Sequence, residues 1–302
     1  MSWIAILLVL VSSVTHAVWN FVGKRDSPSI AFFLAINLVG AMIGIPVILV
    51  SSDMIQSLSA QTWIFLSITG FFQMIYFLGL AGAYRKGDMS VAYPLARSSP
   101  IIVVTIIGLF LQRGHQISPQ CIWGILLVVG GCFLVPMKRF SDLHIKNYFN
   151  PTCGFALMAA AGTAGYSIID DEALRLLRGT AFTNFDLISI TLLYCVLDNL
   201  ITCAWMLVPG MIIKKEKQEF KRIILSAKGS VFGAGLVMFL TYLLVLIAMA
   251  FVKNVSYVVG FRQISILIGV MLGIFFLKEK AYKPKLTGSI IVFVGLVLVG
   301  TG

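Results

Sequence analysis

Apolar residues in this chain come in long blocks separated by short polar breaks. Ten blocks can be drawn, at about 2–22, 29–50, 61–83, 90–111, 120–136, 152–171, 184–209, 229–250, 256–277 and 284–301. Each approaches the roughly 20 residues that carry an α-helix across the hydrocarbon of a bilayer. The runs are continuous rather than alternating apolar with polar, which predicts helices and argues against barrel strands. The longest polar connections, 137–151 and 214–228, leave no room for a separate soluble domain. The first of them divides the chain into two units of five spans, 1–137 and 152–302.

The second unit repeats part of the first. Displacing the sequence by 165 residues lays Arg97 on Arg262, Gly108 on Gly273, Pro119 on Pro284 and Gly130 on Gly295. Each copy is an apolar segment holding one arginine, then a polar turn ending in proline, then a glycine-rich apolar segment. An arginine inside a span is costly, and a cost met twice at the same place suggests a purpose. Because each unit has an odd number of spans, the two insert with opposite orientation. The expected fold is therefore an all-α membrane protein of ten transmembrane helices, two inverted five-helix repeats around a central cavity.

Composition sharpens this reading. Of 302 residues 59% are hydrophobic and 12% charged, with a mean hydropathy of +0.97; a soluble domain has about 25% charged residues. The net charge of +11 does not point to nucleic acid, because the basic residues gather in the short connections. Arg113, Arg175, Arg178 and Lys253 fall on one side, Arg97 and Arg262 lie within spans, and the other 17 of the 23 share the opposite side. That bias places the richer side in the cytoplasm and both termini outside. Residues 1–22 have no preceding positive charge, so they are expected to be a retained first helix rather than a signal peptide. The five cysteines lack metal-site spacing and read as packing residues; no cofactor or metal is expected.

Candidate site residues follow helical spacing. Ser12, His16, Trp19, Asn20 and Gly23 share one face of the first span, and Thr163, Tyr166, Ser167 and Asp170 share one face of the sixth. Trp19 then corresponds to Tyr166 and Asn20 to Ser167. Such a face turns inward, either to line a cavity or to bond neighbouring helices. Tyr93 and Arg97 share a face of the fourth span, with Pro94 and Pro100 nearby, and Arg262 with Gln263 is the counterpart in the ninth. A guanidinium offers a planar fork suited to carboxylate or phosphate; the competing role is a structural pair with Asp170, Asp171 or Asp198. Gln73, Tyr76, Thr241 and Tyr242 are further wall candidates. Asp198, deep in the seventh span beside Asn199, is a candidate for proton coupling.

The chain resembles the drug/metabolite transporter superfamily, specifically its ten-helix EamA-type members. The resemblance rests on the duplicated five-helix unit, His16-Ala-Val-Trp-Asn20 closing the first span, Gly87-Asp-Met-Ser-Val-Ala-Tyr-Pro94 opening the fourth, and Lys278-Glu279-Lys280 followed by Gly288. It departs at Gln112-Arg113-Gly114, where the family often has an acidic residue. The resemblance implies a central cavity lined by the first, third, fourth, sixth, eighth and ninth helices. It implies a secondary transporter, most plausibly an exporter, of a small anionic or zwitterionic metabolite, with a flippase for a lipid-linked sugar as the second reading. The expected setting is the inner cell membrane, as monomer or homodimer, with a small-molecule substrate and the lipid bilayer as partners. An enzyme is not expected, since His16, His115 and His144 are isolated and a single acid lies deep.

Overall fold

The computed structural model describes residues 2–86, 96–97, 100, 118–134, 137–142, 149–180, 186–226, 229–252, 254–276 and 280–301. These form helices, with no strand among the described residues: α1 (Trp3–Asp26), α2 (Ile30–Val50), α3 (Ser52–Gln56), α4 (Ala60–Lys86), α5 (Pro119–Leu134), α6 (Pro151–Thr180), α7 (Leu187–Ile212), α8 (Lys214–Ser226), α9 (Gly229–Ala248), α10 (Val255–Phe261), α11 (Ile264–Phe276) and α12 (Lys283–Thr301). Among the described residues seven helices are long and apolar enough to cross a membrane: α1, α2, α4, α6, α7, α9 with the 3-10 turn that follows it, and Tyr257–Phe276. The helix α5 is apolar but shorter. With α12, these fall on nine of the ten expected blocks. The fourth, 90–111, lies outside the described residues apart from Ala96, Arg97 and Pro100.

Three expected boundaries are corrected. The sixth span does not stop at 171; α6 continues to Thr180. Its added turns are held by Arg175 donating to Asp171 at 2.9 Å, and by Arg178 donating to Thr191 Oγ1 and the Leu246 carbonyl. The connection 214–228 is helical over most of its length. The Glu216 side chain of α8 is buried and accepts the Ala31 N–H at 3.0 Å and a charged bond from Arg85. Glu219 in turn accepts Ser27 Oγ at 2.9 Å. One polar helix thus satisfies a first-turn amide of α2 and ties down the end of α4. Finally, the ninth span is broken: α10 ends at Phe261, and Arg262 and Gln263 form the turn before α11.

Helices from the two halves of the chain pack in pairs, α1 on α9, α4 on α6, α2 on α7 and α5 on α12. Lipid offers no hydrophobic drive between helices, so close approach must come from small residues. At the α4–α6 crossing a Cβ on Gly79 would strike Ala159 N and lie 2.7 Å from the Phe155 carbonyl. A Cβ on Gly162 would lie 2.5 Å from Tyr76 N and 2.7 Å from the Phe72 carbonyl. Residue numbers rise along α4 as they fall along α6, so the crossing is antiparallel. The same arrangement joins α5 to α12, where Gly124 faces the Gly295 carbonyl and Gly131 the Gly288 carbonyl, each at 2.7 Å from the added Cβ. Outward faces carry exposed apolar side chains such as Trp3, Leu7, Leu49, Trp123 and Phe275.

Two substitutions of the same kind separate this packing from intrinsic helix preference. Gly79→Ala should lower the thermal stability of detergent-purified protein by about 1–3 kcal/mol, because backbone cannot yield as a side chain does. Gly154→Ala in α6, where nothing lies within 4 Å, should be neutral or raise stability by up to about 1 kcal/mol. Equal effects would show that the crossing is loose.

Candidate substrate cavity

The paired helices leave a cavity of about 40 Å³ between α1, α2, α4, α6, α7, α9 and the α10–α11 turn. Its wall holds His16, Trp19, Gln73, Tyr76, Tyr166, Thr241, Tyr242 and Arg262, all candidates from the sequence. Asn37, Phe77, Met238, Phe239 and Asn199 complete it. Polar residues within apolar spans were the available signal for Asn37 and Asn199. Phe77, Met238 and Phe239 carried none, since an apolar residue in an apolar span is unremarkable there.

The wall is stiff on its aromatic side. His16 and Trp19, three apart on α1, meet edge to face with centroids 4.8 Å apart. Tyr166 packs edgewise against Tyr76 at 5.9 Å and against Tyr242 at 6.1 Å, which joins α4, α6 and α9. Trp19 is itself backed by Phe33 and Phe77. Such pairs add about 0.5–1.5 kcal/mol each beyond area burial. On the polar side the Asn199 amide donates to Asn37 Oδ1 at 3.2 Å, and Asn37 donates to the Phe33 carbonyl at 2.7 Å.

Other expected residues lie off this wall. Asn20 accepts the Tyr84 hydroxyl at 2.8 Å and donates to the His16 carbonyl, which makes it a helix-to-helix tie. Ser167 is buried on α6, and Gln263 donates to the Val259 carbonyl at 2.9 Å. Arg97 is buried and donates to Ser265 Oγ at 3.4 Å. Tyr93 lies outside the described residues. Asp198 sits behind the wall and accepts Gln73 Nε2 at 2.5 Å. Asp170, expected on the inward face of the sixth span and as an arginine partner, accepts Thr69 Oγ1 at 2.6 Å, the Tyr194 hydroxyl at 2.9 Å and the Tyr242 hydroxyl.

Arg262 is the charged residue of the wall. It is 4% exposed, and its Nε has no hydrogen-bond partner among the described residues. A buried guanidinium of this kind is a directed donor for a planar anion. An aromatic surface faces it, suited to the apolar part of a small molecule.

Long apolar helices around a cavity that carries polar side chains mark a multi-pass membrane protein. Residues 3–137 match the EamA-like transporter family. GDP-fucose transporter 1 of Dictyostelium discoideum is 29% identical over 154 residues, which is 47% of this chain and 41% of that protein. The similarity thus spans less than half the length of that relative. A crystal structure at 14% sequence identity superposes with a TM-score of 0.68 over 98% of this chain and 96% of its own, which shows a shared fold.

Trp19 is the anchor of the aromatic side. Trp19→Ala should cost about 3–5 kcal/mol of stability, a figure set by lost burial and the hole it leaves. Thermal or denaturant unfolding in detergent measures it, and a loss below about 1 kcal/mol would mean that the cluster does not shape the cavity.

Proposed function

We propose that the protein is a secondary transporter that exports a small anionic or zwitterionic metabolite across the inner cell membrane by alternating access. The single observation behind the substrate class is Arg262, a nearly buried guanidinium whose Nε lacks a partner among the described residues and which faces the aromatic cavity. Its place in the turn between α10 and α11 supports the reading, since broken helices at mid-membrane are where carriers build substrate sites. The relative's named cargo, a nucleotide sugar, is itself a phosphate-bearing anion.

The mechanism rests on ten spans arranged as two inverted repeats, 1–137 and 152–302, with the cytoplasm on the lysine- and arginine-rich side. The antiparallel glycine crossings of α4 with α6 and α5 with α12 favour this arrangement. The substrate's anionic group docks on Arg262, Gln73 and Asn199 fix its orientation, and Trp19, Tyr76 and Tyr166 cover its apolar part. Rocking of one repeat against the other exposes the cavity to each side in turn. Arg97 acts beside the cavity, holding Ser265 next to the Arg262 turn.

A thermal-shift screen of purified protein against carboxylated and phosphorylated metabolites should find ligands that raise the melting temperature. Arg262→Ala should then weaken binding about 10- to 100-fold, equivalent to the roughly 1.5–3 kcal/mol of a hydrogen bond to a charged group. Uptake into proteoliposomes should fall in parallel while the variant still inserts. Stabilisation by neutral sugars alone, with Arg262→Ala unaffected, would overturn the anion assignment.

A further inference from the structure

Two carboxylates lie behind the cavity wall and are connected to it. Asp170 of α6 and Asp198 of α7 are both fully buried. Gln73 donates to Asp198 Oδ2, and the Tyr242 hydroxyl donates to Asp170 Oδ2. Both Gln73 and Tyr242 line the cavity. Each acid therefore takes a bond from a side chain whose other surface faces the transported molecule.

The bonding of the two acids is unequal. Asp170 has three donors, Thr69, Tyr194 and Tyr242. Asp198 Oδ1 is buried and has no partner among the described residues. A buried carboxylate oxygen without a donor is expensive while the group is charged, and a like charge nearby adds to that cost. The charged and titratable groups facing the pair are Tyr194, Cys195 and Cys203 from α7, Tyr242 from α9 and Arg262 from the α10–α11 turn. The helix α4 contributes the neutral Thr69 and Gln73. Arg262 is the cation of this set, and its charge acts on Asp170.

We propose that Asp170 and Asp198 form a proton-binding site in which Asp198 Oδ1 takes one proton from cavity water and later returns it there, making the proton the coupling ion of the transporter. An O–H bond forms at Oδ1 as one breaks in a hydronium ion, and no electron changes hands. The pair then carries a single negative charge, balanced by Arg262. Gln73 and Tyr242 carry the state of the pair to the substrate, since either side chain must move if its carboxylate partner shifts. This inference rests on the cavity being the transport site, and it adds the ion that shares that site.

Infrared difference spectra of the full-length protein in lipid bilayers, titrated over about pH 4 to 9 where carboxylates and histidines change charge, use the proton itself as probe. The wild type should gain a protonated-carboxyl C=O stretch that is missing from Asp198→Asn. Should that variant not fold, Tyr242→Phe keeps both acids and removes the hydroxyl that bonds Asp170, so the same band should move in frequency or midpoint. A carboxyl band identical in wild type and Asp198→Asn, or unaltered by Tyr242→Phe, would overturn the proposal. No substrate is needed, so a failed transport test with Arg262→Ala and a failed infrared test remain separate results.

Discussion

The rest of this structure depends on backbone meeting backbone at the antiparallel crossing of α4 and α6. Gly79 and Gly162 each leave room for the other helix's amide and carbonyl groups. In water such an approach would be one packing choice among many, driven by burial. In a bilayer the lipid tails are as apolar as the side chains, and dispersion at short range must hold the helices together. The close crossing fixes where Tyr76 and Tyr166 stand, and those two rings form the adjoining part of the cavity wall.

The second constraint is that polar groups inside a membrane must find partners within the protein. Here that demand organises the ends as well as the middle. At one end, Glu216 of the polar helix α8 serves the first turn of α2 and the Arg85 side chain of α4 together. In the middle, Thr69, Tyr194 and Tyr242 surround Asp170 from three different helices. Among the buried polar atoms of the described residues without a partner, Arg262 Nε and Asp198 Oδ1 lie on or directly behind the cavity wall, while Arg178 Nε and Thr202 Oγ1 belong to residues that do not line it.

The apolar blocks were legible in the sequence because a span needs one uniform property over about 20 residues. The inward faces of α1 and α6 were legible for a similar reason: His16, Trp19 and Tyr166 repeat at helical spacing in otherwise apolar runs. What escaped depends on partners far away in the chain. The segment holding α8 reads as a charged connection because the partners of its buried Glu216, Ala31 and Arg85, are remote. Asp170 reads as part of the inward face of the sixth span, but its donors Thr69, Tyr194 and Tyr242 lie on other helices. Arg97 and Arg262 match in sequence, yet the wall includes Arg262 while Arg97 lies against Ser265. A repeat fixes equivalent positions, but the different side chains around each copy decide what that position touches.

The two outer crossings bear on the proposed inversion of the halves. The displacement of 147 residues that lays Trp19 on Tyr166 also lays Thr15 on Gly162, and the displacement of 165 that pairs the arginines lays Tyr76 on Thr241. In the structure Gly162 meets Tyr76, and Thr241 bonds Thr15 at 2.7 Å. The contact between α4 and α6 thus recurs between α9 and α1 with the partners exchanged, which is what a two-fold relation between the halves produces. The chemistry of the two contacts nevertheless differs. One is backbone lodged against a glycine, and the other is a hydroxyl pair reinforced by Ser12 donating to the Thr241 carbonyl. Hydroxyl bonds break and re-form over small displacements, whereas interlocked backbone slides only as a unit.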